Sequence, residues 1–314
     1  PSYELDITLK AGWTANQRES LLDLDSLVLC NGREAKLYAR GELKAAADLP
    51  YEDAESWNPR ALESLLRTLG QMKTRDVTRV RDLAERLARR TASLRDRILD
   101  LLEDRPPSPA SGVKDARQAR DAWKQYVQPS AKDRDFADGV SQVVAYGLVM
   151  SALDGQPDRN QDGRITVEEA RDWLRDHSPV ISASLGPLLG MPALAAAVRS
   201  ELAALEDLCS AIRPDRIRSS SESRGEPWLY FYEDFLAVYD PKQRRQTGVY
   251  YTPVEVVSAM VRITESLLTG RMGRRLGFGD PDVVTLDPAT GTGTFPLGVV
   301  DAALCTARDE RGAS

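Results

Sequence analysis

The residues best suited to chemistry lie in the last quarter of the chain. Asp287-Pro288-Ala289-Thr290-Gly291-Thr292-Gly293-Thr294-Phe295 follows directly on the apolar run Val283-Val284-Thr285-Leu286. That run, β-branched and continuous, reads as a short buried strand. Gly291 and Gly293 let the backbone turn tightly and approach a ligand with no Cβ in the way. After Thr294, the residues Phe295, Leu297, Val299, Val300, Ala303 and Leu304 have the apolar spacing of a helix. Strand, glycine turn and helix together set a ligand at the carboxyl end of a parallel strand, with Asp287 at the strand end. An ordinary βα turn has the same outline, so the string needs a second signal.

A different chemistry is spelled out by Asp158-Arg159-Asn160-Gln161-Asp162-Gly163-Arg164-Ile165-Thr166-Val167-Glu168-Glu169. This string satisfies the twelve-residue EF-hand loop. Asp158, Asn160 and Asp162 supply oxygens at positions one, three and five, and Gly163 gives the sharp turn. Arg164 would offer its carbonyl, and Glu169 could bind bidentately, making Ca2+ the metal. The competing reading is an acidic loop followed by a capping box, Thr166 with Glu169, that starts a helix. EF-hands work in pairs, and the sequence holds one such loop.

The second signal for the glycine string lies upstream, in Arg245-Gln246-Thr247-Gly248-Val249-Tyr250-Tyr251-Thr252-Pro253. Pro253 suits the first turn of a helix with Thr252 as its N-cap, and Val254, Val257, Met260, Val261 and Leu267 or Leu268 continue it as an apolar stripe. In this order the two strings resemble motifs X and I of S-adenosylmethionine-dependent DNA adenine N6-methyltransferases. The family usually has Cys or Ser where this chain has Thr290. Earlier still, Trp228-Leu229-Tyr230-Phe231-Tyr232-Glu233-Asp234-Phe235-Leu236-Ala237-Val238-Tyr239-Asp240-Pro241 resembles the lead-in of fused restriction-modification proteins, the type IIG and single-polypeptide type I kinds. Its aromatics read as core and interdomain packing rather than base-stacking groups. The segment from Phe136 to Leu148 resembles a helix of the same family.

The resemblance implies a cofactor, S-adenosyl-L-methionine, held by Tyr251, Thr252, Pro253, Asp287, Pro288, Ala289, Thr290, Gly291, Gly293 and Phe295. It implies methyl transfer to adenine in double-stranded DNA, within restriction-modification or phage defence. The family holds the target amine with an Asn/Asp/Ser-Pro-Pro-Tyr/Phe tetrapeptide after the glycine motif, and the base must first be flipped out of the duplex. Pro106-Pro107 is the one Pro-Pro pair here, and its context is that of a linker. Asp309 and Glu310 lie near the distance of the family's ribose-binding acid but fall at a helix end. No catalytic residue is therefore assigned. The start at Pro1 and the stop at Ser314 are expected to mark a fragment that does not methylate DNA alone.

In the first part of the chain, Ser26–Leu29, Glu34–Ala39 and Leu43–Ala47 read as strands joined by the turn signals Asn31-Gly32 and Arg40-Gly41. They resemble the closing edge of the family's N-terminal nuclease. Asp25, Glu34 and Lys36 stand at roughly nuclease spacing for Mg2+, although Glu34-Ala35-Lys36 fits a later, non-catalytic strand better. Two helices follow between Pro59 and Glu103, the second starting near Thr74 or Thr78. It carries Arg79, Arg81, Arg86, Arg89, Arg90, Arg95 and Arg97, a solvated and ion-paired face or a stripe for DNA phosphates. Asp104 to Gly112 reads as a linker. Helices resume at Lys114–Tyr126, Phe136–Leu153 and Glu168–Asp176.

Bulk properties set the class. With 42% hydrophobic and 29% charged residues in 314, the chain has the composition of a globular protein of two or three domains. A net charge of −6 gives no overall attraction for nucleic acid. Cys30, Cys209 and Cys305 match no metal or disulfide spacing and point to a reducing, cytoplasmic setting. The lone His177 reads as a helix C-cap. No apolar run approaches the ~18 residues of a membrane span. The expected fold is mainly α: a small N-terminal β hairpin element (1–50), a helical connector (51–225) and the truncated start of a Rossmann-like α/β methyltransferase domain (226–314). A calcium-binding helical module or non-catalytic interaction protein is the rival.

Overall fold

The computed structural model describes residues 24–30, 33–49, 59–72, 75–105, 109–154, 163–219, 227–240, 252–291 and 293–312. They divide into two compact units, 1–220 and 221–314. The architecture is mostly helical with one small antiparallel sheet, as the sequence pattern leads one to expect.

The sheet has the order β1 (Leu27–Cys30), β2 (Glu34–Ala39), β3 (Glu42–Asp48). Arg40 and Gly41, with φ of 49° and 78°, close β2 onto β3 in a two-residue turn. Positive φ at both positions matches the strand twist. Asn31-Gly32 lies outside the described residues. On β2 the side chains alternate: Ala35, Leu37 and Ala39 are buried, and Glu34, Lys36 and Tyr38 face outward. Leu65 of α1 (Arg60–Gln71) completes that small core with Ala35, Leu37 and Ala47.

This register overturns the reading of Asp25 and Glu34 as a shared metal pair. Arg40 donates its backbone N–H to the Leu24 carbonyl, and Leu27 pairs with Tyr38, so Asp25 lies opposite Arg40. Glu34 is six residues further along the strand, about 20 Å away at 3.3 Å per residue. No single metal ion can bridge that distance. Asp25 instead accepts from the Arg75 N–H (2.9 Å) and the Arg86 guanidinium (3.4 Å), while Glu34 pairs with Lys36 at 3.0 Å.

The centre of the first unit is α2 (Val80–Leu102), surrounded by α3 (Ala110–Tyr126), α4 (Asp133–Leu153) and α9 (Arg199–Ser210). Its start is shifted from the expected caps: Arg79 is the N-cap and makes no side-chain capping bond. Thr74 lies outside the described residues. The arginines are the larger correction. Arg86, Arg90 and Arg95 are buried, so they form no stripe for phosphates. Arg95 bonds Asp96 at 2.9 Å and lies 3.6 Å from Asp138 of α4; Arg86 lies 3.7 Å from Asp82. Arg97 donates to the Ala197 carbonyl, and Arg81 pairs with Glu85.

Helix α4 is long and apolar enough to cross a membrane by length and composition, contrary to the sequence expectation. It is mostly buried, packed on α2, α5 (Val167–His177) and α9. Core helices of globular units meet the same criterion. The linker also proves shorter than expected, since α3 already begins at Ala110; Pro106-Pro107 lies outside the described residues.

Residues 179–219, unassigned from sequence, form short helices: α6 (Pro179–Ser184), α7 (Gly186–Leu189), α8 (Pro192–Ala197), α9 and α10 (Pro214–Ser219). Prolines open the first three within their first two positions, where a missing N–H costs no helical bond. His177 Nδ1 lies 2.9 Å from the Trp173 carbonyl, and its ring stacks on Trp173, so it closes α5. Cys209 is buried, which pushes its thiol up to about 12; it is a packing residue and not a nucleophile.

Two measurements test this core. Arg95→Ala, which removes the guanidinium from buried Asp96 while half-buried Asp138 keeps Arg134 at 3.5 Å, is expected to lower the unfolding free energy by about 3 kcal/mol in urea titrations. At Glu201, half-buried on α9, burial raises the carboxyl above its ordinary range, against the hydroxyl donation of Ser200. An acid whose folded-state pKa is raised holds its proton more tightly when folded. Its penalty is therefore absent at pH well below 4.5, grows as pH rises from there to the raised value, and is fully present above it. Glu201→Gln should accordingly raise the melting temperature at pH 7, with the gain fading in acid.

Candidate functional site

The second unit holds α11 (Pro227–Tyr239), α12 (Val254–Gly270), a 3-10 turn (Gly277–Gly279) and α13 (Thr294–Gly312). In α11 Phe231, Phe235, Leu236 and Tyr239 are buried, and the rings of Phe231, Phe235 and Tyr239 stack in succession. These three rings are thus packing material, as the aromatic composition implies.

Helix α12 starts one residue later than expected. Pro253 is the N-cap, with φ −51° and ψ 139°, and its carbonyl accepts from Val256 and Val257. Thr252 precedes the cap, and Tyr251 lies outside the described residues. The buried stripe Val257, Val261 and Leu268 follows the apolar spacing seen in the sequence.

Val283–Leu286 departs from the sequence reading. It belongs to no strand, and Val284 and Leu286 are 91% and 83% exposed. A parallel strand is made by neighbours that satisfy its backbone, and none pairs with it among the described residues. Its composition is that of a strand; the pairing is missing.

The glycine turn beyond it is nevertheless well determined by its own bonds. Asp287 Oδ1 accepts from the Ala289 N–H at 3.0 Å, and the Thr290 hydroxyl donates to the Asp287 carbonyl at 2.8 Å. Gly293 N–H then donates to the Thr290 carbonyl, and Leu297 N–H to the Gly293 carbonyl, which starts α13. Gly291 and Gly293 have φ of 56° and 84°, the left-handed region that costs any residue with a Cβ. Pro288, Ala289, Thr290 and Gly291 are exposed, and a Cβ built on Gly293 would meet nothing within 4 Å. Thr292 lies outside the described residues.

The two motifs come together through helix packing. On α13, Gly298 sits against Val257 and Val261 of α12, its Cβ position 3.4 Å from each; eight residues later the Thr306 hydroxyl reaches Glu265 of α12 at 2.8 Å. Both helices run through these contacts in the same direction, so they are parallel. Their N-termini, headed by Thr252-Pro253 and by Gly293-Thr294, therefore share one end of the unit. That end gathers the first-turn N–H groups and the positive poles of two helices, a setting for a carboxylate or other anion. Phe295 is half-buried in the first turn of α13, while Asp309 and Glu310 fall in its last turn.

The metal set is only partly visible. Asp158, Asn160 and Asp162 lie outside the described residues. Gly163 has φ of 77°, and α5 begins at Val167 with Thr166 as N-cap. Glu169 and Thr166 form the capping box: the Glu169 N–H donates to Thr166 Oγ1, and Glu169 Oε2 accepts from the Thr166 N–H at 3.0 Å. Arg164 pairs with Asp207 at 2.5 Å, and the Val167 N–H donates to buried Glu206. Glu206 also takes both nitrogens of Arg199, a bond that raises the arginine's pKa. Among the described residues no cluster of three or more His, Cys, Asp or Glu side chains is arranged for a metal. A hollow of about 590 Å3 lined by Asp104, Val113, Lys114, Arg117 and Asp121 lies in the first unit.

No protein-family model matches the chain, and no curated protein matches it. Among solved structures, a cryo-EM DrdV–DNA complex is similar at 21% identity over 88% of this chain and 25% of that one, with a TM-score of 0.41. An ATP-dependent type ISP restriction-modification enzyme, LlaBIII bound to DNA, is similar at 16% identity over 95% of this chain and 17% of that one, with a TM-score of 0.42. The chain thus spans a quarter or less of the length of either.

Proposed function

We propose that the second unit contributes part of an S-adenosyl-L-methionine pocket, and that the chain belongs to a site-specific DNA adenine N6-methyltransferase of a restriction-modification system. The observation that supports this most is the meeting of the two motifs at one end of a parallel helix pair. The residues there fit the group: a glycine turn with left-handed backbone and an open approach, beside two helix N-termini. Gly291 and Gly293 would admit the methionine end of the cofactor, with Thr252, Pro253, Asp287, Pro288, Ala289, Thr290 and Phe295 around it; Tyr251 joins them by its place in the motif. The cofactor supplies an electrophilic methyl group on sulfonium sulfur. Double-stranded DNA is the partner of the whole enzyme, and cytoplasm its compartment. Cofactor binding is the part of this reading that these 314 residues test directly.

Calorimetric titration of the chain with S-adenosylmethionine should give saturable binding. Gly293→Val puts a branched side chain at φ 84° and should weaken it at least tenfold, given ~1–2 kcal/mol for the left-handed backbone alone. Absence of heat at millimolar cofactor with the parent chain would refute the reading.

A second reading concerns calcium, and one observation favours it: Gly163 turns left-handed at loop position six, and α5 begins at position ten with Glu169 in its first turn. A millimolar-affinity Ca2+ held by Asp158, Asn160, Asp162, the Arg164 carbonyl and Glu169 would brace this turn. Gln preserves a capping box but not the charge. Glu169→Gln should therefore leave the metal-free melting temperature nearly unchanged and abolish any rise with about 5–10 mM Ca2+, several times the ~1 mM upper end of extracellular-type sites. A parent chain that calcium does not stabilise would eliminate this reading.

A further inference from the structure

We infer that Glu265, in the middle of α12 and outside both motifs, is the positioning residue that keeps the glycine turn in register with Thr252-Pro253. Its carboxylate takes two donors from separate parts of the unit. Oε2 accepts from the Phe278 backbone N–H at 2.9 Å, and Oε1 from the Thr306 hydroxyl at 2.8 Å. One side chain thereby ties α12 to the 3-10 turn that leads into Val283–Leu286, and to the helix that leaves the glycine turn.

Two glycine-dependent approaches surround this clasp. Gly277 is buried with φ of 54°, and a Cβ there would lie 2.0 Å from Glu265 Oε1, so the carboxylate occupies the space a side chain would fill. Gly279 in turn faces Ala303 of α13 at 3.7 Å. With Val283–Leu286 unpaired, the connection between α12 and the glycine turn passes through these contacts and the Gly298 packing. Glu265 is half-buried, and its carboxylate satisfies a backbone N–H that the turn would otherwise leave unpaired.

The inference rests on the cofactor reading of that end, and the test separates the two. Glu265→Ala removes both bonds. Gly277→Ala pushes the carboxylate aside without deleting it. Glu265→Gln can keep both, its oxygen accepting from Phe278 and its amide donating to the Thr306 oxygen. Thr306→Val removes one bond only, and guards against simple unfolding. Each variant of the 314-residue chain is titrated with S-adenosylmethionine, and amide exchange is followed at Gly293 and Leu297. The expected result is a loss of at least tenfold in affinity for Glu265→Ala and Gly277→Ala, and a smaller loss for Thr306→Val. Glu265→Gln should lie within about threefold of the parent. Equal affinity for parent and Glu265→Ala overturns the assignment, as does a Gln variant no better than Ala. Should the parent bind no cofactor, the cofactor reading fails and exchange decides the clasp. Faster exchange in Glu265→Ala, restored in Glu265→Gln, supports it; unchanged exchange overturns it.

Discussion

The first unit depends on one constraint: α2 is buried on nearly every side while carrying Arg86, Arg90, Arg95, Asp96 and Asp100 in its buried set. Burying a charge without a partner costs several kcal/mol, and burying it beside an opposite charge recovers most of that. The arrangement follows. Arg95 faces Asp96 and Asp138, and Arg86 faces Asp82 and Asp25. Asp138 comes from α4, and Asp25 from the residues just before β1. The sheet edge and the long apolar helix are thus fixed on α2 by specific pairs, whereas its leucines and alanines supply the non-directional part of the packing. Guanidinium suits this role because its planar fork reaches several acceptors at once.

The same logic recurs on α9. Glu206, almost fully buried, collects Arg199 and the Val167 N–H, and the hydroxyl of Ser210 accepts from Ile165. The start of α5 is therefore held from outside the loop as well as by its own capping box. The clasp on Glu265 does for the second unit what Glu206 does for the first: one carboxylate satisfies donors from two elements and fixes where a loop ends.

Local chemistry was legible in the sequence wherever a short-range rule decided the outcome. Arg40-Gly41 closed its hairpin, Thr166 and Glu169 formed their box, and the apolar stripes of α2, α4, α12 and α13 located those helices. The readings that changed were those that depend on partners far along the chain. Arginines spaced around α2 look like a solvated or phosphate-binding face until the acids of other elements are brought beside them. Asp25 and Glu34 look like a metal pair until the register sets them at opposite ends of β1 and β2. Glu265 gave no signal, since a single acid in an amphipathic helix reads as a solvent-facing residue. Its role emerges only when the turn at Gly277 folds back over it.

Val283–Leu286 shows the limit from the other side. Strand propensity describes how a segment fits a pleated, half-buried surface, and it cannot supply that surface. The glycine turn beyond the segment does not wait for it. Asp287 folds onto Ala289, Thr290 bonds back to Asp287, and Gly293 opens α13, all within ten residues. The hydroxyl of Thr290 makes its bond to a main-chain carbonyl, which Ser at this position could also make, so the departure from the family pattern preserves the turn. A glycine turn whose shape is written in its own short-range bonds, and whose placement is set by helix packing, can be formed before any sheet is paired beside it. That separation of shape from support lets the glycine-turn end of this unit be examined in these 314 residues.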